Sequence, residues 1–538
     1  MPNRLPAAGA AGEVTPRGPL RGRLFDGPGI RFFVVSWLLL GLLSSAWALA
    51  TPLFASPDEP GQVVKAAAVA RGQLTGTTIV DPPGGYFDLI TGVEAPAYYA
   101  HAFDATKCFI DDTREAADCA PDFRADDTSS ARLTTWIGRY PPAYYFVVGL
   151  PSLVADGSAA VLGMRVVGAV LAAAFFALGL TSLRSTPRPT PLLAAGMLAV
   201  TPTALFFAGV VNSSGLEIAL GFATWALLLP VVLEPSAVRV APRLLAGAAT
   251  AALLLNTRPG SPLLAGLIAV CLAAAAARAF WREALTGRRW LAPVLVAGAG
   301  AVLAVVWLLA VKPTDSLGGE PDPALADPLR AVAGAWHLTP RYLREELAVF
   351  GILNVPAHPV VLWLLGLTIV ALVVAGLVLG AGRTRLALLL TTVLVFVLPL
   401  VAQIPTAAHL GLIWQGRYGL PFAIGLPLLA MAALLSGRGA SLAGRVAPAL
   451  VAVAAACQFG SFVWALWRYS WGFGQSPLSD PIQWRPPLGV YPLVALVAAV
   501  VLAMAVLVLS QEDGGLRRAL RGSTAPVVAG AARSRTAS

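Results

Sequence analysis

Long apolar runs alternate with short polar segments along the chain. Runs such as 32–54, 291–311, 359–380 and 491–509 contain no charged residue. A helix of about 20 apolar residues is long enough to cross a hydrocarbon layer about 30 Å thick. Helices buried in soluble proteins are rarely so long and so free of charge. The pattern therefore predicts membrane-spanning helices.

Clusters of arginine between these runs predict the orientation of the spans. Loops rich in Lys and Arg stay in the cytoplasm, and placing every cluster there pairs the spans and puts both termini inside. The twelve predicted spans are 32–54, 161–183, 190–209, 214–233, 243–256, 261–280, 289–311, 359–380, 386–403, 418–436, 446–467 and 488–510.

One further apolar segment, 141–155, is short. If this segment crossed the membrane, the chain would have thirteen spans, and Arg184 and Arg188 after the next span would lie outside. A helix half inserted at the outer face, with Tyr140, Tyr144 and Tyr145 at headgroup level, fits the charge pattern better. We therefore predict an all-α, polytopic bundle of about twelve spans, or thirteen.

The membrane domain is predicted to cover residues 31–510, between disordered cytoplasmic segments at 1–30 and 511–538. Its two long outer loops, 55–140 and 312–358, carry 19 of the 28 carboxylates of the chain. All four histidines also lie on the outer side of this topology. The ionisable chemistry is thus concentrated on one face.

Composition supports a membrane protein and argues against nucleic acid. Only 12% of residues are charged, against about 25% in soluble domains. The net charge of +10 comes from short clusters between apolar runs, which is the pattern of cytoplasmic loops and not of a basic groove. No P-loop or dinucleotide-binding glycine pattern occurs.

Cys108 and Cys119 both lie in the first outer loop. Two thiols at this spacing in an oxidising compartment predict a disulfide. A metal site is the alternative, although no second Cys/His pair is nearby. Cys271 and Cys457 fall within apolar helices and are typical of packing residues.

Asp58 and Glu59 follow the first span directly. They fit an ordinary helix start, because Asp is a common N-cap and Glu is favoured in a first turn. They also fit a general base, or carboxylate ligands of a divalent cation, at headgroup depth. Spacing alone does not decide between these interpretations.

Three further groups of polar residues lie at the outer edge. Glu217, just after Asn212, is about one turn inside an apolar helix, where an ionisable group is functional or paired. Arg258 separates two apolar runs. The segment 414–418 places Arg417 between Gln415 and Tyr418, where its guanidinium can bind a phosphate or simply anchor the helix at the interface.

Several of these segments resemble a bacterial membrane family called domain of unknown function 2142. The matching segments are PDEPGQVVKAAAVARG at 57–72, YPPAYYFVVGLP at 140–151, NSSGLE at 212–217, FGILNVPAHP at 350–359 and WQGRYGLP at 414–421. The resemblance extends over about residues 30–510. The family is grouped with the GT-C glycosyltransferases, which use polyprenyl-phosphate-linked sugars and carry an acidic residue or pair after the first helix.

The resemblance implies that Asp58 is the catalytic base with Glu59 as its partner, and that Arg417 contacts the donor phosphate. It also implies that Tyr140 shapes the loop over the site. Gln62 stands where many relatives have histidine, so a mechanism that uses that histidine is not expected here. A high content of Ala, Arg and Gly is typical of a high-GC bacterium such as an actinomycete.

Two functions follow as hypotheses. The first is a plasma-membrane glycosyltransferase that moves sugar from a lipid-linked donor to a glycan or lipid acceptor in cell-envelope assembly, with Mg²⁺ or Mn²⁺ as a conceivable cofactor. The second is a non-catalytic transporter of lipid or polysaccharide, or an envelope-assembly protein. A translocation path requires charged groups near mid-bilayer, whereas the predicted charges lie at the outer rim, which favours the enzyme.

Overall fold

The computed structural model describes residues 26–80, 89–233 and 240–511. The predicted disordered segments lie almost wholly outside these ranges. The described chain is mostly helical. In chain order its α-helices are α1 (Gly27–Ala50), α2 (Glu59–Ala70), α3 (Ala143–Gly149), α4 (Gly157–Arg184), α5 (Pro189–Ala199), α6 (Pro202–Ala208), α7 (Ser213–Leu233), α8 (Val240–Leu255), α9 (Ser261–Ala275), α10 (Arg278–Thr286), α11 (Leu291–Val311), α12 (Pro328–Ala348), α13 (Pro359–Leu379), α14 (Gly382–Gln403), α15 (Ala407–Leu410), α16 (Gly416–Ala423), α17 (Gly425–Ser436), α18 (Ala440–Ser470) and α19 (Val490–Leu509).

Nine helical segments in the described ranges are long and apolar enough to cross a membrane. The protein is therefore a polytopic helical membrane protein, as predicted. The nine segments are Gly27–Ala50, Gly157–Arg184, Ser213–Leu233, Arg288–Val311, Pro359–Leu379, Gly382–Leu410, Gly416–Ser436, Ala440–Ser470 and Val490–Leu509.

Two further predicted spans are sharply bent. Helices α5 and α6 meet at 67°, and α9 meets α10 at 116°. Counting each bent pair as one span gives up to eleven in the described ranges. The remaining predicted span, 243–256, corresponds to α8, whose 16 residues cover only about 24 Å at the rise of an α-helix. The count of twelve stays a prediction.

A small antiparallel sheet lies within the first long loop, a feature that the all-α prediction did not include. Its strands are β1 (Thr77–Val80), β2 (Leu89–Pro96) and β3 (Ser130–Thr135), in the order β1-β2-β3. The sheet packs with α2 and α3 around a separate apolar core, to which Val63, Val93 and Leu133 contribute. A two-residue ladder joins β4 (Val349–Phe350) to β5 (Val355–Pro356). The first loop is thus a compact folded unit.

The short apolar segment after this sheet forms α3 and a 3-10 turn, Leu150–Leu153. Tyr144 and Tyr145 are buried in the core of the loop unit, so their rings face protein and not lipid headgroups. The hydroxyl of Tyr145 donates to Oε1 of Gln62 at 2.6 Å. The opposite side of the segment exposes Phe146 and Leu153, which makes the tyrosine face the inner one.

The bundle has two distinct ends. Helix α1 ends shortly before Asp58, and Asn212, at the start of α7, donates from Nδ2 to the carbonyl of Pro57 at 2.8 Å. We call this the Asp58 end. Helix α7 has 21 residues, so its other terminus lies roughly 30 Å away at what we call the opposite end.

Candidate functional site at the Asp58 end

Asp58 has an unusual backbone and an ion-paired side chain. It is the residue that caps α2, yet its side chain makes no capping hydrogen bond and its φ is +60°. Its Oδ2 pairs with Nη2 of Arg417, and its Oδ1 accepts from Nε1 of Trp136 at 3.2 Å. The left-handed conformation is costly for a residue with a side chain. The ordinary N-cap interpretation does not describe this carboxylate.

The charge of Arg417 controls the protonation of Asp58. Burial raises the pKa of the Asp58 carboxyl, but the nearby charge of Arg417 and the hydrogen bonds from Arg417 and Trp136 lower it more, so that the net pKa lies below the usual value of 3.8. Asp58 is therefore ionised at neutral pH.

Arg417 lies at the start of α16 and is 1% exposed. Its Nε donates to Oε1 of Gln415 at 2.7 Å, and its guanidinium lies 5.0 Å from the ring centre of Tyr418. Its Nη1 is buried and has no hydrogen-bond partner among the described residues. A buried cationic N–H without an acceptor is expensive, so this atom is suited to a ligand oxygen.

Close packing against α12 fixes the helix that carries Arg417. The amide of Gly416 donates to Oε2 of Glu345 at 2.7 Å. A Cβ at Gly416 would lie 2.3 Å from the carbonyl oxygen of Tyr342, so only glycine permits this approach. The glycine beside Arg417 in the WQGRYGLP segment thus has a packing role.

Glu59 does not face the same partner as Asp58. Its side chain is fully buried and pairs with Arg165 of α4, whose Nε and Nη2 donate to its two oxygens at 2.8 and 2.6 Å. The amide of Val211 donates to Glu59 at 3.0 Å. Arg165 also donates to three carbonyls at the end of α1, those of Ala48, Thr51 and Pro52. Glu59 therefore joins α2 to α1 and α4.

Glu217 and Arg258 form another buried ion pair at this end of the bundle. Nη1 of Arg258 and Oε2 of Glu217 are 3.1 Å apart, and the hydroxyl of Ser261 donates to Oε1 of Glu217 at 2.6 Å. The guanidinium of Arg258 lies 4.8 Å from the ring centre of Tyr418 and 5.8 Å from that of Tyr140. Tyr418 is thus in contact with both Arg258 and Arg417.

A cavity of about 760 Å³ opens beside Asp58. Of the nine predicted site residues, Asp58, Tyr140, Gln415 and Tyr418 line it, and the other five do not. The far wall is formed by 316–325 and 410–414. The structure therefore brings residues far apart in the sequence to one polar cavity.

Sequence reasoning missed several residues of this site. Arg165 had a signal, since it is an arginine inside a predicted span. Trp136 and Arg341 line the cavity, but each stands in a predicted loop with no motif around it. The Arg341 side chain is 54% exposed and pairs with Glu345, so it presents an accessible guanidinium.

The donor atoms do not favour a divalent cation held by the acidic pair. Both oxygens of Glu59 are engaged by Arg165, and both oxygens of Asp58 accept hydrogen bonds from Arg417 and Trp136. Across the described residues there is no group of three or more His, Cys, Asp or Glu side chains suited to hold a metal.

Cys108 and Cys119 form a disulfide. The loop that they close is held on α18 by Arg468, whose guanidinium donates to the carbonyls of Glu115 at 2.5 Å and of Phe109 at 2.7 Å. The first loop is therefore attached to the bundle at a point remote in sequence from both of its ends.

Fold and site together define a polytopic helical membrane protein with a charged cavity at one end. Residues 40–426 match the sequence profile of a protein family described as predicted membrane protein (DUF2142). The chain belongs to this family, which confirms that part of the resemblance. No curated protein matches the chain.

Proposed function

We propose that the protein is a membrane glycosyltransferase with a GT-C-like bundle, which uses a polyprenyl-phosphate-linked sugar donor. In this proposal the Asp58 end faces the extracytoplasmic side of a bacterial plasma membrane, both termini are cytoplasmic, and the acceptor is a glycan or lipid of the cell envelope. The orientation rests on the arginine clusters in the sequence.

One observation carries the proposal: an ionised carboxylate on the cavity wall is paired with a buried arginine that retains a free donor. Asp58 lines the cavity, and Arg417 behind it has Nη1 without a partner among the described residues. A carboxylate can accept the proton of an attacking hydroxyl. A guanidinium can stabilise the charge of a departing phosphate.

The proposed reaction is a single displacement. The acceptor hydroxyl oxygen forms a bond to the anomeric carbon as the bond from that carbon to the phosphate oxygen breaks. Asp58 takes the hydroxyl proton, and the polyprenyl phosphate leaves with the electron pair. Positioning and charge stabilisation supply most of the rate enhancement, because the phosphate is already a good leaving group.

The ion pair gives a way to activate the base. Paired with Arg417, Asp58 is a weak base because its pKa is lowered. A donor phosphate that takes over Arg417 would remove this stabilisation and place a negative charge nearby, and both effects raise the pKa of Asp58. Arg341 lines the same cavity and has an exposed side chain, so it is suited to make the first contact with the phosphate.

The other predicted site residues have supporting roles in this proposal. Glu59 holds the backbone around Asp58 through Arg165 instead of acting as a second base. Glu217 and Arg258 fix Tyr418 and Tyr140 at the cavity wall. Gln415 orients Arg417, and Asn212 holds the carbonyl before Asp58.

Mass spectrometry of envelope glycolipids in a deletion strain tests the proposal. Complementation with Asp58→Asn or Arg417→Ala should abolish the product, whereas Asp58→Glu should retain part of it. Glu320→Gln is the matched control, because Glu320 is a carboxylate that lines the same cavity from the far wall and has no part in the proposed reaction. Full activity of stably expressed Asp58→Asn and Arg417→Ala proteins would refute the proposal and favour a transport or assembly role.

A further inference from the structure

A second cavity, of about 490 Å³, lies at the opposite end of the bundle. It is formed where α4, α7, α9 and α17 end and where α14 begins. Its volume is within the roughly 300–1,000 Å³ typical of small-molecule sites. The proposed sugar transfer at the Asp58 end makes no use of it.

The cavity wall is strongly basic. Arg188, Arg278 and Arg383 all line it, and no carboxylate is among the described lining residues. Arg188 and Arg383 each use one N–H on a backbone carbonyl, at 3.1 and 2.5 Å. A guanidinium has five N–H donors, so further donors remain. Positive loops are ordinary at a cytoplasmic face, but three arginines around one cavity favour a specific anion.

Most of the remaining lining is apolar. Leu183, Leu192, Leu229 and Leu233 contribute, and the hydroxyls of Thr384 and Ser436 are hydrogen-bonded to each other at 2.7 Å. A small water-soluble anion would leave this apolar surface uncovered. The combination fits an amphiphile with an anionic head and a hydrocarbon tail.

The neighbouring helix α10 indicates the depth of the cavity. The chain turns by 116° between α9 and α10, so that α10 cannot continue along the direction of α9. Its Phe280 packs edge-on against Trp290 at 4.9 Å, and Trp281 is 45% exposed. A short helix with basic and aromatic residues is typical of the membrane interface. Arg278, at its start, is therefore placed to contact a lipid headgroup.

We propose that this cavity binds the phosphate-bearing headgroup of an anionic membrane lipid, with the arginines on the phosphate and the leucines against the upper part of a chain. The site lies in the leaflet opposite to the proposed catalytic cavity. It does not depend on the proposed transferase activity.

Native mass spectrometry of the full-length, delipidated protein tests this site with phosphatidylglycerol as the probe. The wild-type protein should bind one molecule in preference to phosphatidylcholine. The triple variant Arg188→Gln, Arg278→Gln, Arg383→Gln should bind it about tenfold or more weakly, since each basic residue near a membrane surface attracts anionic lipid. Leu229→Trp should also weaken binding by filling the apolar part of the cavity, and it keeps the test valid if the triple variant does not fold.

The matched control carries Arg31→Gln, Arg385→Gln and Arg445→Gln, three exposed arginines at the same end that do not line the cavity. It has the same net charge as the triple variant and should bind like the wild type. Equal losses in both triple variants would overturn the proposal in favour of diffuse attraction. Displacement of the lipid by an equal concentration of inorganic phosphate would also overturn it, because the tail would then contribute nothing.

Discussion

Replacement of Arg165 by methionine tests the buried ion pair that positions Asp58. Arg165 and Glu59 are both fully buried, and methionine keeps much of the length of the side chain without its charge. The variant leaves Glu59 with only the hydrogen bond from Val211. It also removes the donor from the carbonyls of Ala48, Thr51 and Pro52.

The size of the effect follows from these contacts. The two charge-assisted hydrogen bonds to Glu59, at about 1.5–3 kcal/mol each, already predict a loss of about 3–6 kcal/mol. Removing one partner of a buried ion pair typically costs about 3–5 kcal/mol. We therefore expect Arg165→Met to lower the free energy of unfolding by at least about 3 kcal/mol.

Denaturant titration in detergent micelles, followed by tryptophan fluorescence, measures this change. The double variant Glu59→Leu, Arg165→Met should recover roughly half of the loss or more, because no charge is then left buried. Arg124→Met is the matched control, since Arg124 forms an exposed pair with Asp122 and its loss should not be measurable. Wild-type stability of Arg165→Met, or a double variant as unstable as the single one, would refute the reasoning.

Three further predictions concern the first loop. The pKa of Asp58 in the folded protein lies below 3.8, so its contribution to stability is complete above pH 3.8 and is lost as the pH falls through the folded pKa. Asp58→Asn should therefore flatten the acid side of a plot of unfolding free energy against pH. Burial lowers the pKa of Lys65 from 10.5 to about 7, so the unfolded chain binds more protons between these values. Stability should therefore rise with pH across this range, and thermal unfolding at pH 7 and pH 9 should show a smaller rise for Lys65→Met. Replacing Cys108 and Cys119 by serine opens a loop with a sequence separation of 11, which should cost about 3 kcal/mol and increase hydrogen exchange in that loop; unchanged exchange would contradict this.

Sequence reasoning located the membrane helices because a span requires a long apolar run, whatever its partners are. It also placed Asp58 and Arg417 at one depth, since each stands at the end of a predicted span. Their direct contact could not be predicted, because they are 359 residues apart and many helix arrangements share that depth. The family resemblance, and not the spacing, singled them out.

The partner of Glu59 was missed for a geometric reason. Successive residues at the start of a helix point about 100° apart, which allows Glu59 to face Arg165 while Asp58 faces the cavity. The small sheet was missed because strands as short as Thr77–Val80 give a weak pattern and depend on their neighbours. Tertiary packing decides both features.

The attachment of the disulfide loop to Arg468 bears on how the cavity admits large substrates. One wall belongs to the first loop. The Cys108–Cys119 disulfide cross-links this loop, and Arg468 attaches it to α18, so we call it the fixed wall. On the other wall, the amide of Asp322 donates to the carbonyl of Ala408 at 3.1 Å. This hydrogen bond links the segment 316–325 to the chain just before the segment 410–414. Arg139 of the fixed wall donates to the carbonyl of Lys312 at 3.1 Å, a few residues before the segment 316–325. The two walls of the cavity are thus held by contacts that lie outside the cavity itself, the first on α18 and the second through Arg139.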